Sequence, residues 1–202
     1  LLHAVAVVKA GVFSILKVTY YIFGLDLLQH TGASDIIAYV AGATVLAASL
    51  IALRQDNLKR RLAYSTVSQL GYVVMGAALA VQLGIIGGGM HIIVHGFAKI
   101  TLFFCAGAIL VAAHKTEISQ LRGIGKQMPI TMGAFFIGAI TLIGFPLTGG
   151  LWSKWLLGNA TIDGGHYILL GVLLLSSLLN IAYLLVIPVR AFFSPLPYRA
   201  GP

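Results

Sequence analysis

Apolar residues in this sequence do not alternate with polar ones. They run in long blocks separated by short polar stretches, and six blocks stand out: residues 1–23, 36–53, 62–82, 83–113, 129–160 and 167–193. A helix that crosses a bilayer needs about 20 mostly apolar residues, set by a hydrocarbon core of ~30 Å and a rise of 1.5 Å per residue. Each block fits a crossing. A membrane β-barrel would show alternating segments of about 10 residues, and none occurs. The pattern predicts an all-α polytopic transmembrane helix bundle of about six crossings. The fifth block is too long for one straight span, because its 32 residues would make a helix of about 48 Å. Its middle reads GFPLTGGLWSK. Pro146 removes a backbone donor, and Gly149 and Gly150 free the backbone. This predicts a broken helix whose second half opens near Leu151. Irregular backbone at membrane depth is tolerated where it lines a polar cavity. The competing reading is an ordinary proline kink followed by an interfacial anchor of Trp152, Ser153, Lys154 and Trp155.

The polar stretches carry a charge asymmetry. Arg54, Lys59, Arg60 and Arg61 lie between the second and third blocks, Lys115, Arg122 and Lys126 between the fourth and fifth, and Arg190 and Arg199 at and after the end of the sixth. The intervening stretches, 24–34, 82–84 and 161–166, contain no Lys or Arg. Nine basic residues on one side against none on the other is a positive-inside pattern. It predicts a multi-pass protein of the bacterial cytoplasmic membrane with both ends of the segment cytoplasmic. Residues 1–193 are expected to form one transmembrane domain, and 194–202 a cytoplasmic tail.

Composition closes off other classes. The 202 residues are 59% hydrophobic and only 9% charged, and mean hydropathy is +0.98. A soluble domain carries roughly 25% charge, and a disordered chain would lack so much apolar material. The net charge of +8 has a topological explanation and does not call for nucleic acid, which would find no soluble basic groove here. The single cysteine, Cys105, excludes a disulfide framework and cysteine-built zinc or iron–sulfur sites within this chain. The sequence starts inside an apolar block with no charged region before it, so no signal peptide is expected. It reads as a piece of something longer.

Four basic residues fall inside the blocks. Lys17 lies near a block end, where its head group can snorkel. Lys9, Lys99 and Lys154 do not. An ionised lysine at membrane depth costs about 2.5–3.5 kcal/mol or more, which is a large burden for a purely structural role. His91, His95 and Lys99 are spaced i, i+4, i+8, so a helix places them on one stripe about 6 Å apart per step. Imidazole both donates and accepts a proton, and desolvation favours the neutral amine of lysine. Such a line suits a proton relay. Two other readings are core histidines bonded to backbone, and a metal or haem site. The stripe has no acidic or thiol neighbour to complete a metal site, so no cofactor and no metal are expected. Ser65, Thr66, Ser68 and Gln69 make one end of the third block polar, ready to hold water or bond neighbouring helices. All five carboxylates lie in loops or at block ends, so the buried lysines have no anionic partner within the sequence.

Four stretches carry a family resemblance: LLHAVAVVKAGVF, NLKRRLAYSTVSQLGY, MHIIVHGFAKITLFFCAGAI and GFPLTGGLWSKW. They resemble the antiporter-like membrane subunits of NADH:quinone oxidoreductase (respiratory complex I) and of Mrp-type Na+/H+ antiporters. Lys9, HGFAKITLFFCAGAI and the RGIGKQMP loop lean toward the Mrp subunit-D-like branch. The resemblance implies proton translocation within a multisubunit complex, with other membrane subunits, the lipid bilayer, protons and Na+ as partners. It implies that Lys99 is the central buried lysine with His91 and His95 beside it. By the same resemblance Lys154 is the broken-helix lysine on the outward path, Lys9 a bridging lysine, and His3 a histidine of the same helix. Family members are roughly twice as long and carry an inverted repeat, and this chain resembles the second repeat alone. The family's buried glutamate and its partner lysine lie upstream of the matching region.

Overall fold

In lipid every backbone polar group must be satisfied internally, which leaves helices as the solution for a chain without barrel periodicity. The computed structural model describes residues 6–195, and among them helices dominate and no strand forms. Helix α1 (Val8–Lys17) continues as a π-helical turn (Val18–Phe23). Then follow α2 (Leu25–Thr31), α3 (Ala33–Arg54), α4 (Leu58–Ala78) and α5 (Gln82–Ala113). A 3₁₀ turn (Ile118–Leu121) and the short α6 (Ile124–Gln127) lead into α7 (Pro129–Ile143) and α8 (Gly149–Asp163). Finally α9 (Tyr167–Asn180), a π-helical segment (Ile181–Leu185) and α10 (Val186–Phe193) form one continuous helical run. Three runs are long and apolar enough to cross a membrane by themselves: Ala33–Arg54, Gln82–Ala113 and Tyr167–Phe193.

The six blocks therefore become six helical passes, with boundary shifts that have local causes. The first basic stretch is less of a loop than the charge pattern suggests. Asn57 caps α4 by accepting the Arg60 N–H at 3.1 Å, so Lys59, Arg60 and Arg61 fold into its first turn. In the stretch 24–34, α2 forms between two glycines of positive φ, Gly24 (74°) and Gly32 (64°). The fifth pass is two half-helices. Gly144 (φ 89°) ends α7 in the left-handed cap that glycine tolerates. Pro146 sits in the break, and Leu147 also turns through positive φ (75°). Gly149 and Gly150, expected within the break, are instead the first two residues of α8. Gly150 is needed there for proximity, because a Cβ would run into the Thr141 carbonyl of α7.

Helix α4 is the centre of the bundle. It packs on α3 and α5; α5 in turn packs on α7 and α8, and α3 on α9. The α4–α5 contact is close because both helices offer glycine: a Cβ on Gly76 would stand 2.8 Å from the Gly84 carbonyl oxygen. One apolar core joins Leu58, Leu62, Leu102, Ile109, Phe135 and Tyr183 near one end, and another joins Val45, Tyr72, Met75, Leu157 and Leu173 near the other.

The basic stretches gather at one end of the bundle. The Leu58 and Ile118 amides donate to the Thr116 and Asp56 carbonyls at 2.9 and 2.8 Å, and the Gly123 amide donates to the Arg190 carbonyl at 3.4 Å. Ser119 Oγ donates to Asp56 Oδ2 at 2.7 Å. At the other end His166 Nε2 lies 3.3 Å from Asp35 Oδ1.

Candidate functional site

The i, i+4, i+8 spacing on α5 puts His91, His95 and Lys99 on one buried stripe, and all three are essentially inaccessible to solvent. The two imidazoles stack with ring centroids 6.0 Å apart. Neighbouring helices then fill in around the stripe. His91 Nδ1 pairs with Ser153 Oγ of α8 at 2.9 Å, and His91 Nε2 with Gln69 Oε1 of α4 at 3.1 Å. Ser153 Oγ also donates to the Gly150 carbonyl at 3.2 Å. Each His91 ring nitrogen thus has a side-chain partner from a neighbouring helix, and which partner donates follows the tautomer of the ring and the orientation of the Gln69 amide.

Lys99 Nζ donates to the Leu62 carbonyl of α4 at 2.8 Å, an oxygen that also accepts from Thr66 Oγ at 2.9 Å. No carboxylate stands near it: Asp26, Asp35, Asp56, Glu117 and Asp163 all lie at helix ends or in connections. His95 makes no hydrogen bond to protein through either ring nitrogen. A buried polar atom without a protein partner needs water or costs several kcal/mol.

Lys154 lies in the second turn of α8 and is only 7% exposed, so it does not snorkel, whereas the flanking Trp152 and Trp155 are 59% and 63% exposed. Its Nζ donates to the Ile143 carbonyl at 3.0 Å. Ile143 is the last residue of α7, so Lys154 supplies a donor and a positive charge to an orphan carbonyl at a half-helix C-terminus. The Nζ also stands 5.6 Å from the Tyr72 ring centroid, and that ring meets His91 edge-on at 5.6 Å. Tyr72 therefore bridges Lys154 to His91, and Ser153, the residue before Lys154, meets the same imidazole. Lys9 of α1 lies half-buried against the backbone of Gly96, where a Cβ would touch its Cε at 3.5 Å. It is close enough to act electrostatically on both His95 and Lys99. His3 lies outside the described residues. Lys17 is exposed over the rings of Phe13 and Tyr21. Among the described residues no group of three His, Cys, Asp or Glu side chains could hold a metal.

Several buried polar residues beside the stripe escaped the sequence reading: Tyr72, Ser153, Asn180, Tyr183 and Arg61. Two of them had a usable signal. Tyr72 continues Ser65 and Gln69 at helical spacing, and Asn180 is a lone amide in an apolar run. Arg61 looked like one more loop charge. Instead its guanidinium donates to the carbonyls of Gln55 (2.8 Å), Tyr183 (3.1 Å) and Leu53 (3.4 Å).

Residues 1–180 match the model of the NADH:quinone oxidoreductase/Mrp antiporter transmembrane family. The chain belongs to that family. It is 33% identical over 198 residues to NADH-quinone oxidoreductase subunit N of Desulforudis audaxviator, covering 96% of this chain and 38% of that protein. It is 37% identical over 152 residues to F(420)H(2) dehydrogenase subunit L of Methanosarcina mazei, covering 74% and 22%. The chain thus spans well under half the length of these curated relatives. The same fold occurs in the Mrp complex of Dietzia sp., with a TM-score of 0.86 and 29% identity over 93% of this chain and 34% of that one. It recurs in an archaeal membrane-bound sulfane sulfur reductase, with a TM-score of 0.86 and 29% identity, over 98% and 41%. The protein is accordingly a multi-pass membrane subunit of the complex I and Mrp antiporter family, whose relatives sit in multisubunit membrane complexes.

Proposed function

We propose that this chain moves protons across the membrane through the line Lys9, His95 and Lys99, His91, Tyr72 and Ser153, and Lys154. The observation that carries this reading is the placement of Lys99 and Lys154. Two fully packed lysines without carboxylates stand on either side of two buried imidazoles. Charge on one such group in a low-dielectric interior raises the cost of charge on the next. A proton arriving at Lys99 therefore pushes another off toward Lys154 and the helix break. Residues 1–193 act as the membrane domain of a subunit in a cation/proton antiporter complex, with both ends of the segment cytoplasmic and the bacterial inner membrane as its setting.

The second reading is a proton-pumping membrane-arm subunit of a redox complex, favoured by the names of the two curated relatives. The two differ in what drives transport. Sodium-dependent proton exchange in vesicles supports the antiporter, and NADH-driven proton uptake supports the redox complex. For either, Lys99→Ala in the full parent protein is expected to lower proton transport about tenfold or more, a barrier change of ~1.4 kcal/mol. Transport at the wild-type rate in an assembled Lys99→Ala complex would remove the relay and leave a packing role for these side chains.

A further inference from the structure

The second half of the broken pass is held at its two ends by different means. At its start α8 follows the break, where Gly144 and Leu147 turn through positive φ (89° and 75°) and Pro146 has no amide to donate. Breaks of this kind are where helical passes kink and hinge. On the side facing α9 there is room for α8 to move. A cavity of about 300 Å³ lies between the two helices, lined by Lys154, Asn159 and Ile162 of α8 and by Leu170, Leu174 and Ser177 of α9.

At its far end α8 runs into the turn of Asp163, Gly164, Gly165 and His166, with Gly165 in the left-handed region (φ 75°). The His166 amide donates to the Thr161 carbonyl of α8 at 2.8 Å, and its carbonyl accepts from the Leu169 amide of α9 at 3.0 Å. The backbone of His166 is thus fixed to both helices. Its side chain reaches a third. Nε2 lies 3.3 Å from Asp35 Oδ1 and Nδ1 lies 3.4 Å from the Tyr39 hydroxyl, and the Tyr39 ring meets the imidazole edge-on with centroids 5.7 Å apart. Asp35 and Tyr39 stand one turn apart near the start of α3. The His166 side chain is 16% exposed and that of Asp35 53%, so water and its protons reach the pair.

The elements packed around His166 contribute four other titratable groups: Asp35 and Tyr39 of α3, Asp163 at the end of α8 and Tyr167 at the start of α9. Imidazole is the side chain among these types whose charge ordinarily changes between about pH 5 and 8. A neutral ring with its proton on Nε2 donates to Asp35 and accepts from Tyr39. A protonated ring donates at both nitrogens and adds a charge pair with the Asp35 carboxylate. The link from α3 to the α8–α9 turn is therefore stronger below the imidazole transition and weaker above it.

We propose that His166 is a positioning residue: with Asp35 and Tyr39 it forms a proton-dependent clamp that fixes the far end of α8 and so the placement of Ser153 and Lys154. The proposal rests on the relay reading above and adds control by acidity at the end of the bundle opposite the basic stretches. With the clamp closed, α8 keeps the Ser153–His91 contact of 2.9 Å and the Lys154–Ile143 contact of 3.0 Å. As the ring loses its proton, α8 swings about the break toward the cavity on its α9 side. Those two contacts loosen, and transport falls as pH rises.

The test uses the full parent protein in its assembled complex, reconstituted in lipid vesicles. Spin labels on Ile36→Cys of α3 and Ile162→Cys of α8, in a Cys105→Ser background, report the distance across the clamp. Its distribution is expected to be narrow at about pH 5 and broad at about pH 8, and broad at both in His166→Gln. Proton transport, measured at a constant pH difference across the membrane, is expected to fall about two- to fivefold over the same interval, the size of a partly exposed ion pair. His166→Gln and Asp35→Asn should transport at the lower rate throughout. His166→Arg, which stays charged, should transport at the higher rate throughout. A wild-type distance distribution that is the same at both pH values, or a pH response that survives in His166→Gln, overturns the clamp. Lys99→Ala separates this failure from failure of the relay. If Lys99→Ala stops transport while His166→Gln follows the wild type at every pH, the relay stands and the positioning role falls. If Lys99→Ala transports normally, the relay reading falls and the distance distributions alone decide the clamp. Should His166→Gln not assemble, Asp35→Asn takes its place with the same expected outcomes.

Discussion

Lys154 illustrates how one side chain can serve structure and transport together. Its hydrogen bond to Ile143 closes the end of α7, and its charge favours that carbonyl terminus. Lys154→Met should lose both functions, while Lys154→Arg should keep the cap but not release a proton, since guanidinium stays charged. Proton transport is expected to fall in both variants, and thermal stability of the detergent-solubilised parent protein only in Lys154→Met. Arg61 is the opposite case, a charge that stays put. Its removal in Arg61→Ala strands the carbonyls of Gln55 and Tyr183 in a buried site. Each stranded group costs about 1–3 kcal/mol, so a clear drop in melting temperature is expected. Arg61→Lys should recover only part of it, because an ammonium cannot fork across carbonyls on two helices. Equal melting curves for the wild type and Arg61→Ala would show that the three hydrogen bonds contribute little.

At the scale of elements, the bundle depends on two close helix contacts made by glycine. The Gly76–Gly84 crossing brings α4 against α5 and so sets the distance from Gln69 to His91. Gly76→Val would force these helices apart, and overpacking of this kind costs about 1–3 kcal/mol. Loss of assembled protein on a native gel, with α5 more open to alkylation at Cys105, checks it. The helix break depends on Gly144, whose φ of 89° strains any residue with a Cβ. Gly144→Ala is expected to lower transport through displacement of Lys154, since a Cβ there would stand 3.3 Å from the lysine side chain. The six passes were legible in the sequence because block length and apolarity read directly on bilayer thickness. The position of the break was less so. Pro146 and two glycines marked the region, but the turn is set by Gly144 and Leu147, and nothing in a glycine's neighbours along the chain says whether it bends or packs.

For the whole molecule, the ends of the bundle differ in charge, and the hydrogen bonds from Leu58, Ile118 and Gly123 bring three basic stretches together. Single cysteines at Lys115 and at Gln29 in a Cys105→Ser background should label from opposite sides of the membrane, with the Lys115 site cytoplasmic. The reverse labelling would invert the proposed direction of the relay. The run from Val7 through α1 and its π-helical turn has an open side, with Val7, Phe13, Tyr21 and Ile22 exposed, and Lys9 in the same helix is half-buried. The chain covers a minor share of its relatives' length.

Class, number of passes, charge asymmetry and the spacing of His91, His95 and Lys99 were determined by the sequence alone. Each is a property of one continuous stretch and of the solvent around it: length against bilayer thickness, charge against membrane side, periodicity against the helical turn. The partners of those residues were decided only by the fold. Ser153, Gln69 and Tyr72 reach His91 from α8 and α4, Ser176 of α9 meets Tyr72, and the Tyr183 carbonyl of the π-helical segment meets Arg61 of α4. These contacts join residues up to more than a hundred positions apart, and they exist because glycine crossings and the π segment fix how helices lie against one another. Burial is likewise a tertiary fact. The charge pattern treats Arg61 and Arg60 alike, and packing makes one a solvated surface charge and the other a buried clamp between helices.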